Sequence, residues 1–158
     1  MTKKSIIMVP YANDDNLKTG ANMRHPDRIN IYLKNCCVAL LSAKINNPNS
    51  DIALVTNIRI SDEYIKILEQ NDILIIHAAF DSFRFPEQYK WGLAFYKLCA
   101  LEYVVNNYDY NYYAYLDADV YVQSSFDNIW KECNNRVLLY DVAIGLQVND
   151  YLTFLDEA

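Results

Sequence analysis

Short apolar runs that alternate with amphipathic stretches constrain the fold of this chain more than any other feature of its sequence. Apolar runs of strand length occur at residues 5–10, 51–56, 73–76 and 112–116. Segments with apolar side chains at helical spacing lie between them, at about residues 27–45, 61–70 and 87–106. This alternation predicts an α/β fold with a mostly parallel sheet and helices on both faces.

The boundaries of these elements carry local signals of their own. Ser61 is predicted to be the N-cap of the second helix, with Asp62 and Glu63 in its first turn. Near the end of the chain, residues 127–130 predict a further short helix, and residues 136–140 predict another strand.

Length and composition limit the classes of protein to consider. A chain of 158 residues predicts a single domain, and 53% hydrophobic with 22% charged residues is typical of a globular protein. No apolar run approaches the ~20 residues of a membrane span, so we expect no transmembrane segment. The formal net charge of −6 argues against a nucleic-acid partner, because phosphate backbones require clustered Lys and Arg.

The four cysteines bear on the cellular compartment. Cys36 and Cys37 are adjacent, and neither Cys99 nor Cys133 stands at Cys-x-x-Cys spacing from another cysteine. We therefore expect reduced thiols in apolar settings rather than disulfides or zinc ligands, and a cytoplasmic location.

The strand predicted at residues 112–116 runs directly into Asp117-Ala118-Asp119. If the strand continues through Asp119, both carboxylates point to the same side and repel each other unless a cation lies between them. Hard divalent cations such as Mg²⁺ and Mn²⁺ prefer carboxylate oxygens, which predicts a metal site at the carboxyl end of a central strand. The alternative is a surface turn with two solvated aspartates. Fourteen Asp residues give roughly one such triplet by chance, so the surrounding apolar residues carry the prediction.

Three segments together resemble a known family. The first strand is followed by Ala12-Asn13-Asp14, and Phe95-Tyr-Lys-Leu98 precedes Tyr115-Leu-Asp-Ala-Asp-Val120. This arrangement resembles the GT-A fold glycosyltransferases, especially glycosyltransferase family 8, which includes glycogenin and bacterial lipopolysaccharide sugar transferases. The resemblance covers most of the chain. It implies a Rossmann-like GT-A sheet, a nucleotide-sugar donor that is commonly a UDP-sugar, and Mn²⁺ or Mg²⁺ bound by the two acids.

The resemblance also implies roles for individual residues. Asp119 is expected to bind the metal directly, and Asp117 to be shared between the metal and the ribose. Lys97 corresponds to a lysine that contacts the nucleotide sugar, although its spacing alone equally fits a solvated lysine whose stem covers the core. Arg84, just before the same helix, is expected to hold a phosphate or the sugar.

The loop after the first strand is the candidate site for the nucleoside. Tyr11 offers an aromatic face for uracil, and Asn13 and Asp14 offer an amide and a carboxylate for the base edge and the ribose. An ordinary polar loop is the alternative for these residues.

The chain departs from the family in two respects. The family takes a third metal ligand, a histidine, from well after the acidic motif, whereas His25 and His77 both precede it. The chain ends at Ala158, and the second half of a GT-A enzyme normally shapes the acceptor site. We therefore expect residues 1–158 to form a GT-A-like donor-binding domain that lacks part of the usual acceptor region.

These patterns lead to one main hypothesis and two others. The main one is a metal-dependent glycosyltransferase that transfers a sugar from a UDP-sugar to a carbohydrate, lipid-linked or protein acceptor. The second is a non-catalytic module that binds a nucleotide sugar or a partner. A nucleotidyltransferase ranks last, because its usual glycine-rich loop after the first strand does not occur at residues 13–20.

Overall fold

The fold is that of a computed structural model, which describes residues 4–12, 28–83, 92–133 and 136–138. Within the helices, the side chains of residue 28 in α1 and of residues 92–95 in α3 are not described. The chain divides into two compact units, Met1–Phe126 and Asp127–Ala158. The expected single domain of 158 residues stays a prediction.

The first unit contains four strands and three helices in alternating order. They are β1 (Ser5–Tyr11), α1 (Arg28–Asn46), β2 (Asp51–Thr56), α2 (Asp62–Gln70), β3 (Ile73–His77), α3 (Gly92–Asn107) and β4 (Tyr112–Tyr115). In the second unit the described residues form α4 (Asp127–Glu132) and a short segment without regular structure at 136–138.

The four strands form one parallel sheet in the order β3-β2-β1-β4. β1 lies in the interior of this sheet, and its register pairs Ile6 with Asp51 on one side and with Tyr113 on the other. The predicted α/β class and the parallel sheet are confirmed. Parallel strands need crossover connections, and the three helices between the strands supply them.

The two faces of the sheet bury different side chains because successive residues of a strand alternate. Ile6 and Met8 of β1 pack in one cluster with Ala100 and Val104 of α3. The intervening Ile7 and Val9 are also fully buried, and α1 contacts both β1 and β2. Helices therefore cover both faces of the central strands.

Helix boundaries follow the signals in the sequence. α1 ends at Asn46, and the Asn47 N–H still bonds to the Ala43 carbonyl at 2.8 Å before Pro48 stops the helix. Ser61 has the extended backbone of an N-cap, as predicted, but its side chain makes no capping hydrogen bond. The predicted starts of α1 near residue 27 and of α3 near residue 87 lie outside the described residues.

The position of β4 and the strand predicted at residues 136–140 differ from what the sequence predicts. β4 was expected to be a buried central strand, but it is half-buried and lies at one edge of the described sheet, because β1 is its one neighbour there. The strand predicted at residues 136–140 is not seen at 136–138, and residues 139–140 lie outside the described part of the chain.

The four cysteines are free thiols. Cys36, Cys37 and Cys99 are buried, while Cys133 is half-buried. Burial raises the pKa of Cys36 to about 12, with a contribution from the adjacent Cys37, and burial also raises the pKa of Cys37. The thiolate is the reactive form, so Cys36 behaves as an inert core residue.

Hydrogen bonds and tyrosine contacts connect the strands at the amino-terminal end of the sheet. Ahead of β1 and β4, the Lys4 N–H donates to Asn111 Oδ1 at 2.9 Å, and the Asn111 N–H donates to the Lys4 carbonyl at 2.8 Å. Tyr110 donates a hydrogen bond from its hydroxyl to Asp51 Oδ2 at 2.8 Å and packs edge-on against Tyr113. Burial, and then the Asp51 carboxylate, raise the pKa of Tyr110 above its ordinary value near 10.

No helix among the described residues combines the length and the apolar character needed to cross a membrane.

The sheet core makes a first prediction. Leu54 of β2 is 1% exposed, whereas Leu74 of β3 is 41% exposed. Leu54→Ala is expected to lower the free energy of unfolding by about 2–5 kcal/mol, because it removes buried methyl groups and leaves a cavity. The matched Leu74→Ala is expected to cost no more than about 1 kcal/mol. Urea unfolding followed by circular dichroism measures both, and equal losses would contradict the described burial of Leu54.

The Tyr110–Asp51 contact makes a second prediction, on pH. Because the folded-state pKa of Tyr110 is raised, its contribution to stability is complete below pH ~10 and is lost as the pH rises towards the folded-state value. Tyr110→Phe should therefore flatten the fall in unfolding free energy above pH ~10. Tyr103→Phe, at a 37% exposed position on α3, should retain the wild-type slope. Urea unfolding between pH 8 and about 11 distinguishes the two variants.

Candidate functional site

The carboxyl ends of β1 and β4 meet at the edge of the sheet where open α/β folds usually bind ligands. Pairing continues one residue past β4, where the Leu116 N–H donates to the Met8 carbonyl at 2.9 Å. Asp117 therefore emerges directly from the sheet beside the last residues of β1.

The acidic motif itself lies in a turn. β4 ends at Tyr115, residues 116 and 117 have no regular structure, and residues 118 and 119 form a turn. The strand therefore does not continue through Asp119, and strand alternation does not determine which way the two carboxylates point. Asp117 and Asp119 are both exposed, and their relative placement is set by the turn and its anchors.

The anchor downstream of the turn comes from the last turns of α1. The Val122 N–H donates to Ser42 Oγ at 3.0 Å, and Asn46 Nδ2 donates to the Val122 carbonyl at 2.9 Å. Ser42 in turn donates to the Ala39 carbonyl at 2.9 Å. Two side chains thus satisfy both backbone groups of Val122, which is itself buried.

A third side chain extends this anchor. Asn47 Oδ1 accepts a hydrogen bond from the Phe126 N–H at 2.6 Å, and Asn47 Nδ2 donates to the Ala43 carbonyl at 3.1 Å. Asn47 is 4% exposed and Ser42 is 3% exposed. The segment that follows the acidic motif is therefore fixed to a helix whose own position is set by packing on β1 and β2.

Lys97 of α3 reaches the acidic turn. Its Nζ forms a hydrogen-bonded ion pair with Asp117 Oδ1, and it lies 5.9 Å from the centroid of the Tyr115 ring. The Lys97 side chain is 33% exposed and that of Asp117 is 50% exposed. An exposed pair of this kind contributes about 0.2–1 kcal/mol to stability, so the contact carries more information about the site than about the fold.

Tyr96 of α3, next to Lys97, packs against a residue with an unusual backbone conformation. Phe80, three residues after β3, has φ 51°, and its ring is 5% exposed. A non-glycine residue in this region costs about 1–3 kcal/mol. The Phe80 ring stacks on Tyr96 at a centroid distance of 6.0 Å. This aromatic contact offsets the cost of the Phe80 backbone conformation.

The other predicted site residues fall into two groups. Tyr11 is 7% exposed and stacks on Tyr32 of α1 at 5.7 Å, so one ring face is taken and stacking on a base would need the opposite face. Asn13, Asp14 and Arg84 lie outside the described residues. For these four residues a role in nucleotide binding stays a prediction.

His77 is excluded as a partner of the acidic turn. It ends β3, which lies at the opposite edge of the sheet from β4. Three strand spacings separate the two strands, or roughly 14 Å. His25 lies outside the described residues.

The acidic turn suits a hard cation that keeps part of its water shell. Mg²⁺ in nucleotide sites is typically held by one or two carboxylates together with substrate phosphates and water. Asp117 and Asp119 provide two exposed carboxylates, and Asp119 makes no hydrogen bond or ion pair with another described residue. Over the described ranges, no group of three or more His, Cys, Asp or Glu side chains forms a complete protein cage for a metal.

Comparison with models of known protein families finds no match, and comparison with curated protein sequences finds no similar protein.

The residues that sequence reasoning missed are Ser42, Asn46 and Asn47. Their signal in the sequence is the polar pair Ser42 and Asn46, one turn apart near the end of α1, with Asn47 directly after it. Ser42 and Asn47 are buried in the structure, and buried polar side chains are almost always hydrogen-bonded, so such residues indicate a partner segment. The sequence does not say which segment, since Ser42 and Val122 are 80 residues apart.

The anchor makes a third prediction. Ser42→Ala leaves the buried Val122 N–H without its partner and is expected to lower the free energy of unfolding by about 1–3 kcal/mol. It should also speed amide hydrogen exchange at Val122, because the acidic turn loses its downstream attachment. Ser61→Ala is the matched control, and it should be nearly neutral because Ser61 makes no capping bond. Equal effects of the two changes would count against the anchor.

Proposed function

We propose that this chain is the donor-binding part of a metal-dependent glycosyltransferase with a GT-A fold, acting on a UDP-sugar. The observation that carries the proposal is the ion pair between Lys97 and Asp117. These residues belong to the two separate motifs that resemble glycosyltransferase family 8, and they are in contact at the end of β4, on the edge where parallel sheets usually bind ligands.

The charge balance of the protein supports this assignment. A chain with formal net charge −6 repels an anionic diphosphate unless positive charge is concentrated where the diphosphate binds. Lys97 supplies one positive charge at the end of β4. Asp117 and Asp119 would hold a divalent cation there, and we assign Mn²⁺ or Mg²⁺ on the hardness of their oxygens.

The chemistry of glycosyl transfer explains why such residues are needed. The bond between the anomeric carbon and a diphosphate oxygen breaks, and negative charge develops on the leaving diphosphate. A bound divalent ion supplies Lewis-acid stabilisation of that charge. The two carboxylates of the turn would hold the ion, and loss of a preorganised electrostatic group of this kind costs on the order of 3 kcal/mol of barrier. The Lys97 ammonium would be a partner for the charge of the diphosphate.

The remaining residues complete the proposed donor site. Tyr11 is the last residue of β1, and Asn13 and Asp14 come after it in the sequence. All three are proposed to contact the uracil and ribose. Arg84 precedes α3 in sequence and is proposed to hold a phosphate or the sugar. Free thiols at all four cysteines support a cytoplasmic location as part of the same proposal.

A second candidate function is a domain that binds a nucleotide sugar without transferring the sugar. Release of free UDP from the donor separates the two functions, because a binding-only protein yields none.

The proposal makes a fourth prediction. Asp119→Asn is expected to weaken Mn²⁺-dependent binding of UDP-glucose or another accepted UDP-sugar by at least about 100-fold, while urea unfolding stays unchanged. Asp109→Asn, at an exposed position before β4, is the matched control and should bind as the wild type does. Isothermal titration calorimetry in the presence and absence of Mn²⁺ measures the binding.

Undiminished binding by Asp119→Asn would refute the metal assignment. If the wild type binds the donor but releases no UDP with any acceptor or with water, the binding function replaces the transferase.

A further inference from the structure

We infer that the Lys97 ammonium occupies the position of the divalent cation at Asp117 in the cation-free protein, and that a bound cation displaces it. The inference rests on the proposed function to the extent that Asp117 and Asp119 are taken as the cation ligands. It adds that Lys97 opposes binding of the bare cation and supports binding of the cation together with a diphosphate.

The contact between Lys97 and Asp117 places two cations in competition. Lys97 Nζ is hydrogen-bonded to Asp117 Oδ1, and that oxygen is one of the few available to a metal in the turn. A divalent ion bound to the same carboxylate would lie close to the ammonium, and like charges at that separation repel. Binding of the ion therefore requires the ammonium to move away.

The displacement is easy because both side chains are exposed. With 33% of the Lys97 side chain and 50% of the Asp117 side chain open to solvent, the pair contributes little to stability. The Lys97 stem is long and flexible. Its ammonium is already within reach of the Tyr115 ring, 5.9 Å from the centroid, so a favourable cation–π contact persists once Asp117 is released.

The consequence is that a divalent cation binds more favourably together with a nucleoside diphosphate than it does alone. A bare divalent cation meets the repulsion of the released ammonium without compensation. A cation that arrives with a nucleoside diphosphate brings negative charge, and the released ammonium then becomes a partner for it. Lys97 thus couples the two ligands and makes each bind more tightly in the presence of the other.

The test uses Mn²⁺ alone as the first probe. The free Mn²⁺ signal in electron paramagnetic resonance is titrated with the wild type, with Lys97→Met and with Lys66→Met. Lys97→Met is expected to bind Mn²⁺ about tenfold more tightly than the wild type, because a unit charge next to a divalent ion has been removed. Lys66→Met changes the net charge equally at an exposed position on α2, and should bind as the wild type does.

The second probe is UDP in the presence of saturating Mn²⁺, measured by calorimetry. Lys97→Met is expected to bind UDP more weakly than the wild type, so the same substitution changes the two affinities in opposite directions. Lys97→Gln, which also removes the charge, should reproduce both shifts and guards against a packing effect of methionine.

The outcomes separate this inference from the proposed function. Mn²⁺ binding by Lys97→Met and Lys97→Gln that is equal to or weaker than that of the wild type overturns the exchange, and so does the absence of Mn²⁺ binding in all four proteins. If the two variants bind Mn²⁺ more tightly but no protein binds UDP, the exchange stands and the proposed use of a nucleotide sugar falls.

Discussion

Parallel pairing of β4 with β1 is the constraint on which the candidate site depends. Each of these strands is short, and neither determines by itself where its carboxyl end lies. Their shared register brings the end of β4 beside the end of β1, and one further backbone bond from Leu116 to Met8 carries the pairing up to Asp117. A slip of one residue would move every side chain of β4 to the opposite face of the sheet. The contacts of Tyr110 with Asp51 and Tyr113, at the amino-terminal end of the sheet, oppose such a slip.

The acidic turn is attached at both ends to elements of the core, β4 of the sheet and the end of α1. Upstream it is attached to the sheet through β4, and downstream Ser42 and Asn46 hold Val122. Loops that carry chemistry on parallel sheets are usually positioned by rigid elements beneath them. Here the rigid element is the end of α1. Polar side chains there and directly after it, instead of another strand, bond to the backbone of Val122 and Phe126.

Much of the fold was predictable because the relevant forces are local. The positions of β2 and α2 follow from an apolar run of strand length and from an amphipathic stretch preceded by Ser61. The parallel arrangement followed from the alternation of such segments. The half-buried, edge position of β4 was not predictable, because Tyr112 to Leu116 has the same apolar composition as an interior strand, and neighbours in a sheet are chosen by long-range packing.

The sequence by itself determined the α/β class, the order of elements and the identity of the charged groups available for chemistry at residues 97, 117 and 119. Those properties depend on local periodicity and on side-chain type. Tertiary structure alone decided that β4 ends before the acidic motif, that Ser42 and Asn46 hold the segment beyond it, and that Lys97 is paired with Asp117. The last two are contacts between residues 20 to 80 positions apart, and their geometry is fixed only when the helices pack on the sheet.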